Sequence, residues 1–342
     1  MEKSLYIVGY FGYSNNKIDG QTIKTRNLFE LLKMKQVGPI SFFDSSLLKS
    51  NKLLIFNLIK GIISSTHIVY LPAHNNLKIF FPIIYILSKL FNKTLIYVVI
   101  GGWLPEFINN KPFHKWALAR INGIFTETVN MKIKLESWYQ YSNVHLMPNF
   151  RNHNYVPVIQ KHDGALRCVF MSRVIKEKGL DVIFRFIDRL NELKLTNTIQ
   201  IDFYGPIPPN ENEYVLGNIK KYAYLSYKGI LDPEMIHQTL NNYDVMILPT
   251  RYPGEGFPGA ILDAYISGIP VVVSNWKDIP SFVENGQTGN VFDLNNELEF
   301  GNNLIHLYNN KDLLYQMKLN SFEKSKEYSA EKCWEILNPF LK

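Results

Sequence analysis

Cysteine is scarce in this 342-residue sequence, with only Cys168 and Cys333, far apart. Two scattered thiols exclude a disulfide framework, cannot build a metal-ligand cluster, and favour a reducing compartment. No D-x-D occurs, and Glu211–Asn212–Glu213 is the nearest imitation. Chemistry in which acids hold a metal against a diphosphate is therefore not indicated, and no metal or cofactor is expected. No G-x-G-x-x-G follows an apolar run, and "GYFGYSNN" fails that spacing, which argues against a nicotinamide dehydrogenase. No uncharged run of about 18 apolar residues exists to span a membrane. The most apolar stretch, Ile79 to Ile100, is broken by Pro82, Lys89, Asn92 and Lys93. The run Leu5 to Phe11 is too short for a signal h-region and reads as a buried strand. There is no Arg-rich run or nucleic-acid motif, so no nucleic-acid partner is expected.

What is present is an ordinary globular composition, 46% hydrophobic and 20% charged, in a length suited to two domains. Charge is uneven. Residues 1–150 hold 17 Lys/Arg against 7 Asp/Glu, or +10, and residues 151–342 hold 20 against 23, or −3. Such asymmetry fits an anionic partner for the first half, an anionic membrane surface being one candidate and a merely solvated lysine-rich surface the other.

Short apolar runs alternate with amphipathic segments. The first half predicts strands at Leu5–Phe11, Gly38–Phe43, His67–Leu71, Thr94–Ile100, Gly123–Thr126 and Val144–Met147. Helices are expected between them at Thr22–Lys33, Leu47–Ile63, Leu77–Phe91, Pro112–Ile121 and Asn130–Tyr139. The second half repeats the scheme from Leu166 to Leu307, and Ser329 is positioned to cap a last helix. On Ile79–Phe91 the face Phe80, Ile83, Ile84 and Leu87 is read as core, with membrane contact as the rival reading. Apolar strands separated by helices predict parallel sheets covered on both faces, and two such series predict an α/β chain of two doubly wound domains. The expected division is residues 1–150, residues 151–325, and a C-terminal helix in 326–342 that crosses back to the first domain.

The segment "LPTRYPGEGFPGAILDAYISGIPVVVSNW" carries the chemistry. Glu255 and Asp263 lie eight positions apart around Gly254, Gly256, Pro258 and Gly259. Pro258 suits a first helical turn and Gly268 a helix stop. A helix tip attracts phosphate, so carboxylates beside it need another target, and sugar hydroxyls accept that role. Here "EGFPGAILD" resembles the E-x7-E signature of the retaining glycosyltransferase family with the GT-B fold, glycosyl transferases group 1, which includes bacterial capsule and lipopolysaccharide enzymes. "VFMSRVIKEKGLDVIFRFIDRL" is similar to that family's Gly/Ser–Arg–x4–Lys–Gly segment through Ser172, Arg173, Lys178 and Gly179. "IDFYGPIP", "LSYKGILDPEMI", "LMPNF" and "GYFGYSNNKIDGQTIKTRNLFELL" resemble its further segments. The likeness is specific only from about Leu166 to Asn290.

The resemblance implies two facing Rossmann-like domains with an interdomain cleft, an acceptor-binding one followed by a nucleotide-sugar-binding one. It also implies metal-independent, retaining transfer of a hexosyl group from a nucleotide-diphosphate sugar, with uridine as the expected base because UDP-sugars are common donors in that family. Glu255, Arg173 and Lys178 would be catalytic. Asp263, Gly256, Phe257, Pro258, Gly259, Gly229, Ile230 and Gly20 would bind donor, and His74, Gly102 and Trp103 would face the acceptor, a saccharide or lipid-linked saccharide. A cytoplasmic place at the inner face of the plasma membrane would follow. Three departures stand out: Asp263 where Glu is usual, Gly101–Gly102–Trp103 where a His is common, and Phe150 in place of a glycine. They keep open a nucleotide-sugar epimerase of the same fold and a non-catalytic sugar-nucleotide-binding partner protein.

Overall fold

The computed structural model describes residues 3–13, 19–49, 51–72 and 74–342. Ser14 to Ile18 of the N-terminal glycine loop and Ala73 of "YLPAHNN" lie outside the described residues. The chain divides into two compact units, Met1–Asn152 with Tyr328–Lys342, and His153–Glu327.

In the N-terminal unit the elements run β1 (Leu5–Gly9), α1 (Gly20–Met34), β2 (Ile40–Asp44), α2 (Ile55–Ser64), β3 (His67–Leu71), α3 (His74–Leu90) and β4 (Thr94–Val98). They continue α4 (Leu104–Ile108), α5 (Pro112–Leu118), β5 (Gly123–Thr126), α6 (Val129–Tyr139) and β6 (Val144–Leu146). The six strands form one parallel sheet in the order β2-β1-β3-β4-β5-β6. Alternation along each strand divides the core. Tyr6, Val8, Ile68, Tyr70, Leu95 and Tyr97 pack under α2 to α6, while Leu5, Ile7, Val69, Leu71, Ile96 and Val98 face the other layer.

The C-terminal unit follows with β7 (Leu166–Met171), α7 (Leu180–Glu192), β8 (Ile199–Tyr204), α8 (Asn212–Ile219), β9 (Leu225–Gly229) and α9 (Ile236–Leu240). Then come β10 (Val245–Leu248), α10 (Gly259–Ile266), β11 (Val271–Ser274), β12 (Gly289–Phe292), α11 (Glu297–Asn309) and α12 (Lys311–Ser325). Its sheet is again parallel, in the order β12-β11-β10-β7-β8-β9, which is the doubly wound arrangement reversing between β7 and β10. The last helix, α13 (Ala330–Leu337), belongs to the N-terminal unit and completes its second layer with Cys333 and Leu337. Ser329 caps it by accepting from the Lys332 N–H.

Three expectations need correction. The helix read over Leu47–Ile63 is two short 3-10 turns before α2, because the Asn51 side chain accepts from the Leu53 N–H and starts the chain anew. Helix α3 begins at His74 and runs through Pro82. Its core face is Leu77, Phe81, Ile84, Tyr85 and Ser88, so of the expected four only Ile84 is fully buried, and Ile83 is 37% exposed. The large rings Phe81 and Tyr85 set the helix phase, Phe81 stacking on Tyr70 at 6.5 Å. Pro258 stands just outside α10 as its extended N-cap residue, so the helix starts at Gly259.

Candidate functional site

In an open parallel sheet ligands bind beyond the carboxyl ends of the strands, where the order reverses. In the C-terminal unit that point lies between β7 and β10, and the loops leaving these two strands carry Arg173 and Lys178 on one side and Glu255 on the other. Gly179 brings the loops together. Its φ is +84°, a conformation glycine adopts freely, and a Cβ there would lie 1.9 Å from the Pro249 carbonyl oxygen. The turn Lys176–Lys178 therefore rests on the end of β10. The contact is held by Arg251 N–H donating to the Glu177 carbonyl at 2.9 Å. Arg251 also pairs with Asp181 at 2.8 Å. Burial would raise the Asp181 carboxyl, but Arg251 and Arg185 overcome it and hold the group below the usual carboxylate range.

Lys178 pairs directly with Glu255 Oε1, and both residues are only 7% exposed. The Thr250 hydroxyl donates to the same Oε1 at 2.9 Å. The ring of Tyr252 lies beside this pair, with the Lys178 ammonium 4.9 Å and the Arg173 guanidinium 4.7 Å from its centroid. One aromatic ring thus collects both cations, and the carboxylate touches one of them. The loop is fixed on its far side by Trp276 Nε1 donating to the Tyr252 carbonyl at 2.8 Å and by Ser274 Oγ donating to the Thr250 carbonyl. Gly256, Phe257 and Pro258 are buried. The Phe257 ring stacks on Phe282 at 3.9 Å, so what this residue can offer a ligand is its backbone. No side chain caps α10, which leaves its first N–H groups without a side-chain acceptor.

Asp263 is 2% exposed inside α10, with Oδ1 3.3 Å from Nε2 of His237. The His237 ring packs on Tyr155 and His153. At the end of β9, Gly229 has φ of +82° with open space where a side chain would be, and Ile230 is 60% exposed.

The remaining predicted residues lie in the N-terminal unit. Gly20 is exposed in the first turn of α1, whose tip is already capped by the Asp19 carboxylate in a capping box with Thr22. That negative cap disfavours an anion there. The His74 ring sits edge-on to Trp103 at 5.0 Å and Phe107 at 4.3 Å. Gly102 lies in the turn after β4, where Gly101 has φ of +79° and donates its N–H to Glu127 Oε2 at 3.2 Å. Glu127 Oε1 in turn accepts from Lys24 at 2.6 Å, and Lys24 also donates to the Val99 carbonyl at 2.9 Å. Sequence reasoning missed this buried pair, along with Tyr252, Thr250 and His237. Tyr252 and Thr250 stand inside the quoted loop and were within reach; Lys24, Glu127 and His237 carry no sequence signal of their own.

Against known proteins, residues 165–310 match the family model described as "Glycosyl transferases group 1". A protein of the cps region of Klebsiella pneumoniae is 26% identical over 166 residues, covering 47% of this chain and 43% of that protein. The capsular polysaccharide biosynthesis glycosyltransferase CapM of Staphylococcus aureus is 25% identical over 193 residues, covering 55% and 46%. The chain thus spans less than half the length of the curated relatives it matches. Among solved structures, Anabaena Alr3699/HepE in complex with UDP and glucose superposes with a TM-score of 0.76 at 14% identity, covering 100% of this chain and 99% of that one. Sucrose-phosphate synthase from Thermosynechococcus elongatus gives 0.77 at 13% identity, covering 98% of both.

The fold is GT-B. In this GT-B chain the family match falls within the C-terminal unit and includes every residue of the Arg173, Lys178 and Glu255 cluster as well as Asp263.

Proposed function

We propose that the chain is a glycosyltransferase that moves a hexosyl group from a nucleoside-diphosphate sugar to a saccharide or lipid-linked saccharide, with retention and without a bound metal. The convergence of Arg173, Lys178 and Glu255 around Tyr252, at the reversal point of the C-terminal sheet, carries this reading. In it, Arg173 and Lys178 hold the diphosphate, and the uncapped N–H groups of α10 assist. Lys178 has three donors and gives one to Glu255, so donors remain for phosphate oxygens. Glu255 accepts hydrogen bonds from the sugar, Asp263 from the ribose, and the backbone at Gly229–Ile230 lies along the base. The bond between the anomeric carbon and the diphosphate oxygen breaks, and the acceptor hydroxyl oxygen bonds to that carbon on the same face. Its proton passes to the departing diphosphate. The two cations stabilise the charge that develops on the leaving group. The N-terminal unit, with His74, Gly102 and Trp103, receives the acceptor.

A uridine donor is favoured by the solved GT-B neighbours, several of which were crystallised with UDP or UDP-glucose. A surface-polysaccharide acceptor is favoured by the capsule-related relatives. Thermal unfolding in the presence of UDP, GDP, ADP or TDP tests the donor assignment. At about 100 times its dissociation constant the cognate nucleotide adds about 2.7 kcal/mol of stability. No shift with any of the four refutes the site.

A further inference from the structure

We propose that the outer face of α2 and α3 is a docking surface for an anionic phospholipid bilayer. The inference goes beyond the transfer reaction and stands on the N-terminal unit alone. Helix α3 is apolar on two opposite faces. One, with Leu77, Phe81 and Ile84, lies in the core. The other consists of Ile79, Ile83, Ile86 and Leu90, which are 59%, 37%, 56% and 71% exposed. Their spacing of four, three and four puts all of them within about 60° of one another around the helix. Scattered exposed apolar residues need no explanation, but a continuous stripe on a helix does. Helix α2 packs beside α3 and adds Phe56 and Ile63, 65% and 40% exposed, to the same layer. On the other side of α3, Trp116 of α5, 48% exposed, lies 5.5 Å from Tyr85 and extends the surface with an indole, a ring suited to the headgroup level of a bilayer.

Charge identifies the occupant. From Ser45 to Pro105 the sequence has not one Asp or Glu, while it has six lysines. Lys52, Lys60, Lys78 and Lys89 are exposed, and none of the four is in an ion pair among the described residues. Lys60 stands between Phe56 and Ile63, and Lys78 and Lys89 flank the α3 stripe on one side. Apolar side chains bordered by cations, with no acid among them, suit a surface of acyl chains and anionic headgroups. No helix of the described residues is long and apolar enough to cross a membrane, and the inner face of α3 is committed to the sheet, so the contact is peripheral.

Flotation of the full chain with phosphatidylcholine vesicles, with and without phosphatidylglycerol, tests this. Binding is expected to the anionic vesicles only, and to fall at about 0.5 M NaCl, where charges are screened within about 4 Å. Ile83→Glu/Ile86→Glu should reduce partitioning about tenfold or more, and Lys78→Ala/Lys89→Ala about fivefold per lysine. The circular dichroism spectrum and the nucleotide-induced thermal shift should be unchanged in both variants. Three outcomes would overturn the proposal: no wild-type binding to phosphatidylglycerol vesicles at low salt, equal binding by the Ile83→Glu/Ile86→Glu chain, or a wild-type dimer in sedimentation that this variant dissolves. The last would assign the face to a second copy.

Discussion

Two buried lysine–carboxylate pairs sit at opposite ends of one sheet in the C-terminal unit, and they are built differently. At the amino end of β10, Asp244 accepts from the Arg167 backbone N–H and side chain and from Lys318 at 2.7 Å, using both oxygens. His162 adds a nitrogen 3.4 Å away. At the carboxyl end, Glu255 takes Lys178 and Thr250 on a single oxygen. A carboxylate surrounded by fixed donors on both oxygens has no capacity for a ligand and serves the fold. A pair that loads one oxygen, beside a glycine-rich loop and a second cation, keeps capacity to exchange partners with a ligand such as the proposed diphosphate sugar. Burial alone does not separate the two; the saturation of the hydrogen bonds does.

The largest effect is expected at the saturated pair. Asp244→Asn leaves the buried Lys318 and the half-buried Arg167 beside a neutral partner and should cost about 3–5 kcal/mol, read by denaturant unfolding. Burial pushes the Asp244 carboxyl up, but Arg167 and Lys318 outweigh it and hold the group below its ordinary value of 3.8. Its contribution is therefore complete above that value and is lost as pH falls through the lower folded one. The Asn variant should show a flatter acid limb of stability than the wild type. Equal stability of the two chains at neutral pH would remove the structural assignment.

Lys178→Ala is the converse case. Transfer should fall by about 10²–10³, the cost of deleting one charge-stabilising donor. Stability should fall by less than in Asp244→Asn, because Glu255 stands on a loop at the strand end and keeps its bond from Thr250. Circular dichroism, unfolding and donor turnover on one preparation separate the two effects. Turnover near wild type would refute the diphosphate role, and stability loss equal to that of Asp244→Asn would erase the contrast between the pairs.

How much of this was legible in the sequence follows from the same contrast. The strands were readable because parallel strands covered on both faces are apolar runs, as in the fully buried Val271–Ser274. Arg173, Lys178 and Glu255 were singled out through the resemblance of their segments to a known family, and the structure brings the three side chains together around Tyr252. Helix α12 was not, because its buried side is Leu314, Met317, Lys318, Ser321 and Ser325, a helical period written half in polar residues that periodicity of hydrophobicity does not detect. Those polar residues are buried where they find partners, Lys318 on Asp244 and Ser321 on the Thr288 carbonyl. Nor was the Lys24–Glu127 pair, whose members are 103 positions apart and meet only through the packing of α1 against the sheet. The phase of α3 was misread because apolar residues occupy both its faces, and only the sheet beneath it selects which face is core.

The smallest effect tests the geometry of the pair most finely. Thr250 donates to Glu255 Oε1, and its oxygen also accepts from the Tyr252 N–H at 3.1 Å. One hydroxyl thus aligns the carboxylate with the ring that collects both cations. Thr250→Val keeps the branched shape and removes that link, which should cost about 1 kcal/mol, or about fivefold in kcat/KM. The loss should appear in sugar transfer more than in nucleotide affinity, since Arg173 and Lys178 are untouched. Thr250→Ser, which restores the hydroxyl, should recover most of the rate. If Val and Ser behave alike, Glu255 is positioned by Lys178 alone. If Val equals Lys178→Ala, the carboxylate rather than the cation dominates the step.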